Sequence, residues 1–183
     1  MEETLQRLKA DFRAHMNGVA SARMREAGLA YHVNFGIELP RLQEIAKDYE
    51  PDHELAQQLW MENVRESKIV AALLMPTERF SPELAELWAE QIPNAEIAQT
   101  TTLYLFSRLP FASQLIFPWI ASDREMLQLS GLLLATRLLA GGIVFNPSSQ
   151  DELLDQAQSL AASSSLFVRK AANNLLTSLS HPL

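Results

Sequence analysis

The stretch Ser81–Phe106, SPELAELWAEQIPNAEIAQTTTLYLF, decides the fold, because it spells two helices and the stop between them. Ser81 stands ahead of Pro82 and Glu83, a capping hydroxyl before a proline at the first helical position. Leu84, Leu87 and Trp88 then recur at helical spacing. Pro93 breaks the run, Asn94 takes the next N-cap place, and Glu96 puts an acid in the first turn, where the helix dipole favours it. Three threonines follow, Thr100, Thr101 and Thr102. Their β-branched side chains lose rotamer freedom in a helix, so propensity does not explain them. Packing against a neighbouring helix is the expected reason.

The same grammar extends in both directions. Leu42, Ile45, Ala46 and Tyr49 fall at i, i+3, i+4 and i+7, and Leu55, Leu59 and Trp60 continue the pattern. Ile69, Val70, Leu73 and Leu74 follow, then Leu115, Ile116, Trp119 and Ile120, then Leu153, Leu154, Ala157 and Leu160. No segment alternates with a two-residue period, so no sheet is expected. Breaks are expected at Pro51, Pro76, Pro93, Pro110 and Pro147, with Gly141-Gly142 stopping a helix after Leu139. Ser122–Glu125 and Ser149–Glu152 each read S-x-x-E, the capping-box spacing. Helix pairs therefore begin near Pro51, Ser81, Pro110 and Ser149. Each pair leaves an apolar face that a neighbouring pair must cover, which is the logic of a HEAT or armadillo solenoid. The expectation is an all-α right-handed superhelix of HEAT-like pairs forming one domain over residues 1–183. A single globular helical bundle is the alternative.

Composition narrows the chemistry. The chain has 183 residues and no cysteine, which excludes disulfides, thiol nucleophiles and thiolate metal sites. No apolar run reaches the roughly 18 residues of a membrane span, and the charged N-terminus lacks a signal-peptide core. A cytoplasmic location is expected. The net charge is −7, with nine acids against three bases (Arg65, Lys68 and Arg79) in residues 51–100, and there is no basic run. Affinity for a duplex comes largely from Lys and Arg displacing counterions, so this balance weighs against DNA. His15, His32, His53 and His181 are isolated in sequence, and no metal site is expected. His32 reads as a hydrogen-bonded loop histidine. Ser107, Ser113 and Ser163–Ser165 lack a nucleophile elbow, and no Gly-rich phosphate loop occurs, so no cofactor is expected. Trp60, Trp88 and Trp119 sit on apolar stripes and read as core.

The stretch Tyr31–Met75 resembles the N-terminal half of the DNA alkylation repair (AlkD-like) proteins, which are HEAT-like repeat glycosylases. The resemblance rests on Asn34-Phe35-Gly36-Ile37, Pro40, Leu42, Ile45-Ala46-Lys47, Leu55-Ala56, Leu59-Trp60, Glu66 and Ala71-Ala72-Leu73. Phe167-Val168-Arg169-Lys170-Ala171 matches a second motif, and the likeness spans about residues 24–180. It implies release of cationic alkylated purines from DNA, with aromatic rings against the lesion and an aspartate stabilising the developing charge on the sugar. In the family the middle helix opens Trp-Asp-x-x-Asp; here it reads Ala95-Glu96-Ile97-Ala98-Gln99. The ring position is Ala95 and the key aspartate position is Gln99. The arginine position falls at Leu129, and a later tryptophan position at Asn174. The resemblance therefore implies a family fold without the family's catalytic residues: a scaffold that binds a protein or another ligand. The alternative is a glycosylase or DNA-binding repair protein using Arg108, Arg137, Arg169 and Lys170 as groove contacts to phosphate.

Overall fold

A computed structural model of the chain describes residues 2–29 and 31–180. The described residues form eleven α-helices and two 3-10 turns, with no strand and one isolated parallel bridge between Val33 and Val64. They fall into two compact units, Met1–Phe80 and Ser81–Leu183.

The first unit holds α1 (Glu2–Ala14), α2 (Gly18–Glu26), α3 (Leu39–Lys47), α4 (His53–Met61) and α5 (Arg65–Leu74), then a 3-10 turn at Thr77–Arg79. Its axis is α5, in which every residue but Leu73 is buried, Arg65, Glu66 and Lys68 included. Buried charge is tolerated when every polar atom finds a partner, and these do. The Glu66 carboxylate, with no solvent exposure, accepts from the Phe35 amide at 3.0 Å, the Ile37 amide at 3.2 Å and the Arg65 guanidinium at 3.1 Å. Arg65 also donates to the Ile37 carbonyl at 2.7 Å. The Asn34–Ile37 loop is thus fastened to α5 by both its amides and a carbonyl. Gly36, at φ +72°, lets that loop lie on the start of α2. A Cβ there would stand 2.2 Å from the Asn17 carbonyl oxygen and 2.6 Å from the Ser21 amide.

Lys68 closes the other end of the same turn. Its ammonium donates to the Trp60 carbonyl at 2.7 Å and lies 4.4 Å from the centre of the Trp60 ring. Burial without a carboxylate partner pushes Lys68 down to about 8. Helix α1 is tied on by side chains: Phe12 meets the Phe35 ring, Lys9 pairs with Glu62, and Asp11 accepts from the Tyr49 hydroxyl. Burial and the Asp11 carboxylate raise the Tyr49 phenol above its ordinary value.

The second unit holds α6 (Pro82–Glu90), α7 (Ala95–Tyr104), a 3-10 turn at Phe106–Arg108, α8 (Ala112–Ile120), α9 (Glu125–Ala140), α10 (Pro147–Leu160) and α11 (Leu166–Ser180). Short turns join α6 to α7, α8 to α9, and α10 to α11, as helix pairs require. Helix α9 is the hub, packing against α6, α7, α8 and α11. Gly131 sets its approach to α8. A Cβ there would lie 2.8 Å from the Ile120 side chain and 2.9 Å from the Ile120 backbone nitrogen. Trp88 and Trp119 are buried in this unit and Trp60 in the first, as their stripes indicated.

Caps and stops follow the sequence at several points. Ser81 accepts from the Leu84 amide and Asn94 from the Ile97 amide. Gly141 and Gly142 end α9, Gly142 at φ +85°. The two S-x-x-E segments are corrected. Helix α10 starts earlier, with Asn146 as the cap of Pro147, and Ser149 donates its amide to the Asn146 side chain at 2.9 Å. An Asn followed by Pro offers both cap and fixed φ, so it outcompetes a serine three residues on. Ser122 accepts from the Arg124 amide, leaving Glu125 as the first helical residue and not the third. Glu125 instead accepts from the Ser165 hydroxyl at 2.5 Å. Leu87 and Leu154 also leave the expected core. They are 49 % and 36 % exposed, because Ala85, Trp88 and Ala89 turn the buried stripe of α6 away from Leu87, and Leu153 and Ala157 do the same in α10.

Three consequences are measurable. Glu66→Ala strands the Arg65 charge and two loop amides, and should lower unfolding free energy by about 3–5 kcal/mol in urea titration. For Lys68 the folded value lies below the unfolded 10.5, so between pH 8 and 10 the unfolded chain holds more protons. Stability should therefore rise with pH across that window relative to Lys68→Met; a constant difference between the two melting curves would refute it. Tyr49 has the opposite sign, but only from its unfolded value near 10 upward. Finally, Thr101 is fully buried and its hydroxyl has no hydrogen-bond partner among the described residues. Thr101→Val should leave the melting temperature unchanged or raise it.

Candidate functional site

Helix α7 sits where the resemblance expects chemistry. Asn94 caps it, and Pro93 before the cap ends the preceding turn. Ala95, Ile97, Ala98, Thr100, Thr101 and Thr102 are all buried, so the helix is enclosed on nearly every side. This accounts for the threonines: they fill space beside neighbouring helices. Thr100 satisfies its own hydroxyl by donating to the Glu96 carbonyl at 2.9 Å, a back-bond within the helix. What remains for solvent is a narrow stripe at i, i+3 and i+7, with Glu96 half-buried and Gln99 and Leu103 exposed, and the half-buried Tyr104 at the last position of the helix. Any ligand meeting that stripe from solvent meets one carboxylate, one amide and one leucine.

The four positions that the resemblance singles out divide in two. Ala95 and Leu129 are core residues, 5 % and 1 % exposed. Gln99 and Asn174 are exposed and neutral. Ala95 and Gln99 lie one turn apart on α7, and α9, which bears Leu129, packs between α7 and α11, which bears Asn174. The side chains offer neither a ring nor a second carboxylate at these positions.

Of the four candidate phosphate contacts, Arg137 lies apart from Arg169 and Lys170. Arg169 and Lys170 lie in the first turns of α11, an end fixed beside the start of α9 by the bond from Ser165 to Glu125. Arg137 is in the last turn of α9, twelve residues on, or about 18 Å along the axis. Arg169 is half-buried and donates to the Ser163 carbonyl at 2.6 Å. Arg108 donates to the Tyr104 carbonyl at 3.3 Å. Arg137 and Lys170 are exposed.

Elsewhere the titratable groups serve the fold. His15 contacts the Asp11 carbonyl through Nδ1 and Arg41 through Nε2, His53 lies against Gln57, and His32 is exposed. His181 lies outside the described residues. No three His, Asp or Glu side chains come together as a metal site among the described residues, and none of their helices is long and apolar enough to cross a membrane. An open pocket of about 290 Å³ in the first unit is lined by Gln43, Ala46, Lys47, Tyr49, Pro51, Leu73 and Leu74, and holds no acid-base pair. The buried set Arg65, Glu66 and Lys68 is a charged cluster that period and composition do not reveal. The cue for it was three charges within four residues of an apolar helix.

Comparison with known proteins agrees with the helical fold. A solved structure described as "a new family of proteins related to the HEAT-like repeat DNA glycosylases with affinity for branched DNA structures" is similar over 97 % of this chain and 76 % of its own, with a TM-score of 0.86 and 18 % identity. At that identity the likeness establishes the fold. No curated protein matches the sequence. The family model described as DNA alkylation repair enzyme matches residues 8–182. The chain therefore belongs to the DNA alkylation repair enzyme family, and its all-helical fold is the HEAT-like repeat.

Proposed function

We propose that this chain is a non-catalytic binding member of its family, a HEAT-like scaffold that recognises a ligand without excising a base. One observation carries the reading. The stripe of α7 that carries the Gln99 position is Glu96, Gln99 and Leu103, with Ala95 buried beneath it and the half-buried Tyr104 off it at the end of the helix. Glycosidic cleavage passes through a cationic sugar, and a fixed carboxylate lowers its energy. An amide at Gln99 cannot supply that charge. Glu96 sits in the first turn, where the helix dipole already favours an acid. Leu129 faces the core and Asn174 is neutral, so neither of those positions supplies the charge.

Nucleic acid with a branched backbone is the ligand that the structural likeness supports, since the neighbour is described as having affinity for branched DNA. Binding of that kind needs shape and phosphate contacts rather than a reactive pocket. A protein partner is the second reading, supported by the net charge of −7, which repels phosphate over most of the surface.

The test has two arms. Incubation with alkylated duplex should release no methylated purine above the rate without protein; excision would overturn the non-catalytic reading. Titration of a labelled four-way junction at low salt should give binding that exceeds that of linear duplex and weakens as salt rises. Equal, negligible affinity for both would move the assignment to a protein partner.

A further inference from the structure

Asn17 is the one asparagine of the chain followed by glycine; the others precede Phe35, Val64, Ala95, Pro147, Asn174 and Leu175. The Asn17-Gly18 pair lies at the start of α2, and both residues are exposed. An asparagine side chain and the next backbone nitrogen can close into a five-membered ring, and the side chain of the following residue ordinarily hinders that closure. Gly18 has no side chain, and a Cβ built on it would meet nothing within 4 Å, so no neighbour shields its nitrogen either. As the first residue of α2, Gly18 also holds one of the amides that no helical carbonyl engages.

The restraint on Asn17 is its own cap. Its side chain accepts from the Ala20 amide at 3.1 Å, with the backbone at φ −129° and ψ 96°. Ring closure takes the side-chain carbonyl away from Ala20, so the first turn of α2 has to open. That turn is weakly held. Ser21 is the buried residue of α2, and a nine-residue helix with so little apolar burial opens at far lower cost than the whole chain.

We infer that Asn17-Gly18 is a spontaneous modification site, and that its isoaspartyl product releases α2 from the Asn34–Ile37 loop. The Gly18 nitrogen attacks Cγ of Asn17, a C–N bond forms, and ammonia leaves with the Gly18 proton. Water then opens the succinimide at either carbonyl. Cleavage of the new bond gives aspartate on an unchanged backbone. Cleavage of the original peptide bond gives isoaspartate, whose main chain runs through Cβ and Cγ and is one atom longer. Aspartate keeps the cap and adds an anion that the helix dipole favours. Isoaspartate does not fit. The Asn17 amide donates to the Phe35 carbonyl at 2.8 Å, and the Asn17 carbonyl accepts from the Ser21 amide at 2.9 Å. A Cβ on Gly36 would already stand 2.2 Å from that carbonyl oxygen, so the contact has no room for an added atom.

The experiment ages the full chain at mildly alkaline pH and follows it by peptide mapping. The peptide carrying Asn17 should gain the mass of an amide exchanged for an acid before any other peptide does, divided between aspartate and isoaspartate. Gly18→Ala, for which the structure has room, should slow the gain at least about 10-fold. Hydroxylamine, which attacks the succinimide, should cut the wild type between residues 17 and 18 and spare the variant. An earlier gain at another asparagine, or equal rates in wild type and Gly18→Ala, would overturn the site. The structural half is read on the isoaspartyl form after chromatographic separation. Hydrogen exchange at the Ser21 amide should quicken there, while Asn17→Asp keeps the wild-type rate. Equal protection of Ser21 in the isoaspartyl form and in Asn17→Asp would mean that α2 is still fastened, and would overturn the release.

Discussion

A carboxylate with no exposure to solvent organises the first unit. Glu66 gathers two loop amides and a guanidinium into one buried point, and Arg65 adds a bond to the Ile37 carbonyl of the same Asn34–Ile37 loop. An isolated buried carboxylate would be strongly unfavourable. With three donors in place it becomes a constraint on geometry, since any shift of the loop leaves a charge unsatisfied. The loop in turn places Gly36 against α2 and Phe35 against Phe12, so the first two helices inherit their position from the same contact. Among its described residues the second unit has no equivalent ion pair in its core. It relies on apolar burial around α9, where each fully buried Leu or Ile contributes roughly 1.5–3 kcal/mol.

The division of α7 into an enclosed body and a narrow solvent stripe bears on the non-catalytic reading proposed above. Helix, cap and neighbours are all present, so the absence of ring and carboxylate is not a failure of folding. It is a change confined to side chains. Ala95 beneath the stripe marks the depth of that change: a ring could not be added there without moving what covers it.

How much of this was legible depended on the range over which each residue acts. Ser81 and Asn94 cap within three residues, so their roles follow from local order. Trp88 and Trp119 follow from period. Ser149 misled because Asn146-Pro147 starts the same helix earlier, and two valid start signals within four residues compete. Ser122 misled because its hydroxyl serves a turn, and its Glu125 partner is claimed by Ser165, forty residues on. Leu87 shows that leucines do not always define a stripe when alanines and one tryptophan can. The family fold was readable because its matching residues are packing residues, Asn34–Ile37 and Glu66 among them. Why they match was not readable. The partners of Glu66 lie 29 and 31 residues away, and a charged residue defaults to the surface until they are known.

The close approach at Gly131 has a consequence for how such a chain can vary. Two helices that touch backbone to side chain at one glycine are fixed in spacing, so α8 and α9 behave as a single stiff element. Change is then tolerated at the ends and outer faces of helices, where loops lengthen and surface residues turn over without disturbing the joint. A lineage built on such joints can abandon a reaction and acquire a new surface while its skeleton stays the same. Its ancestry then remains visible in spacing long after it has faded from sequence identity.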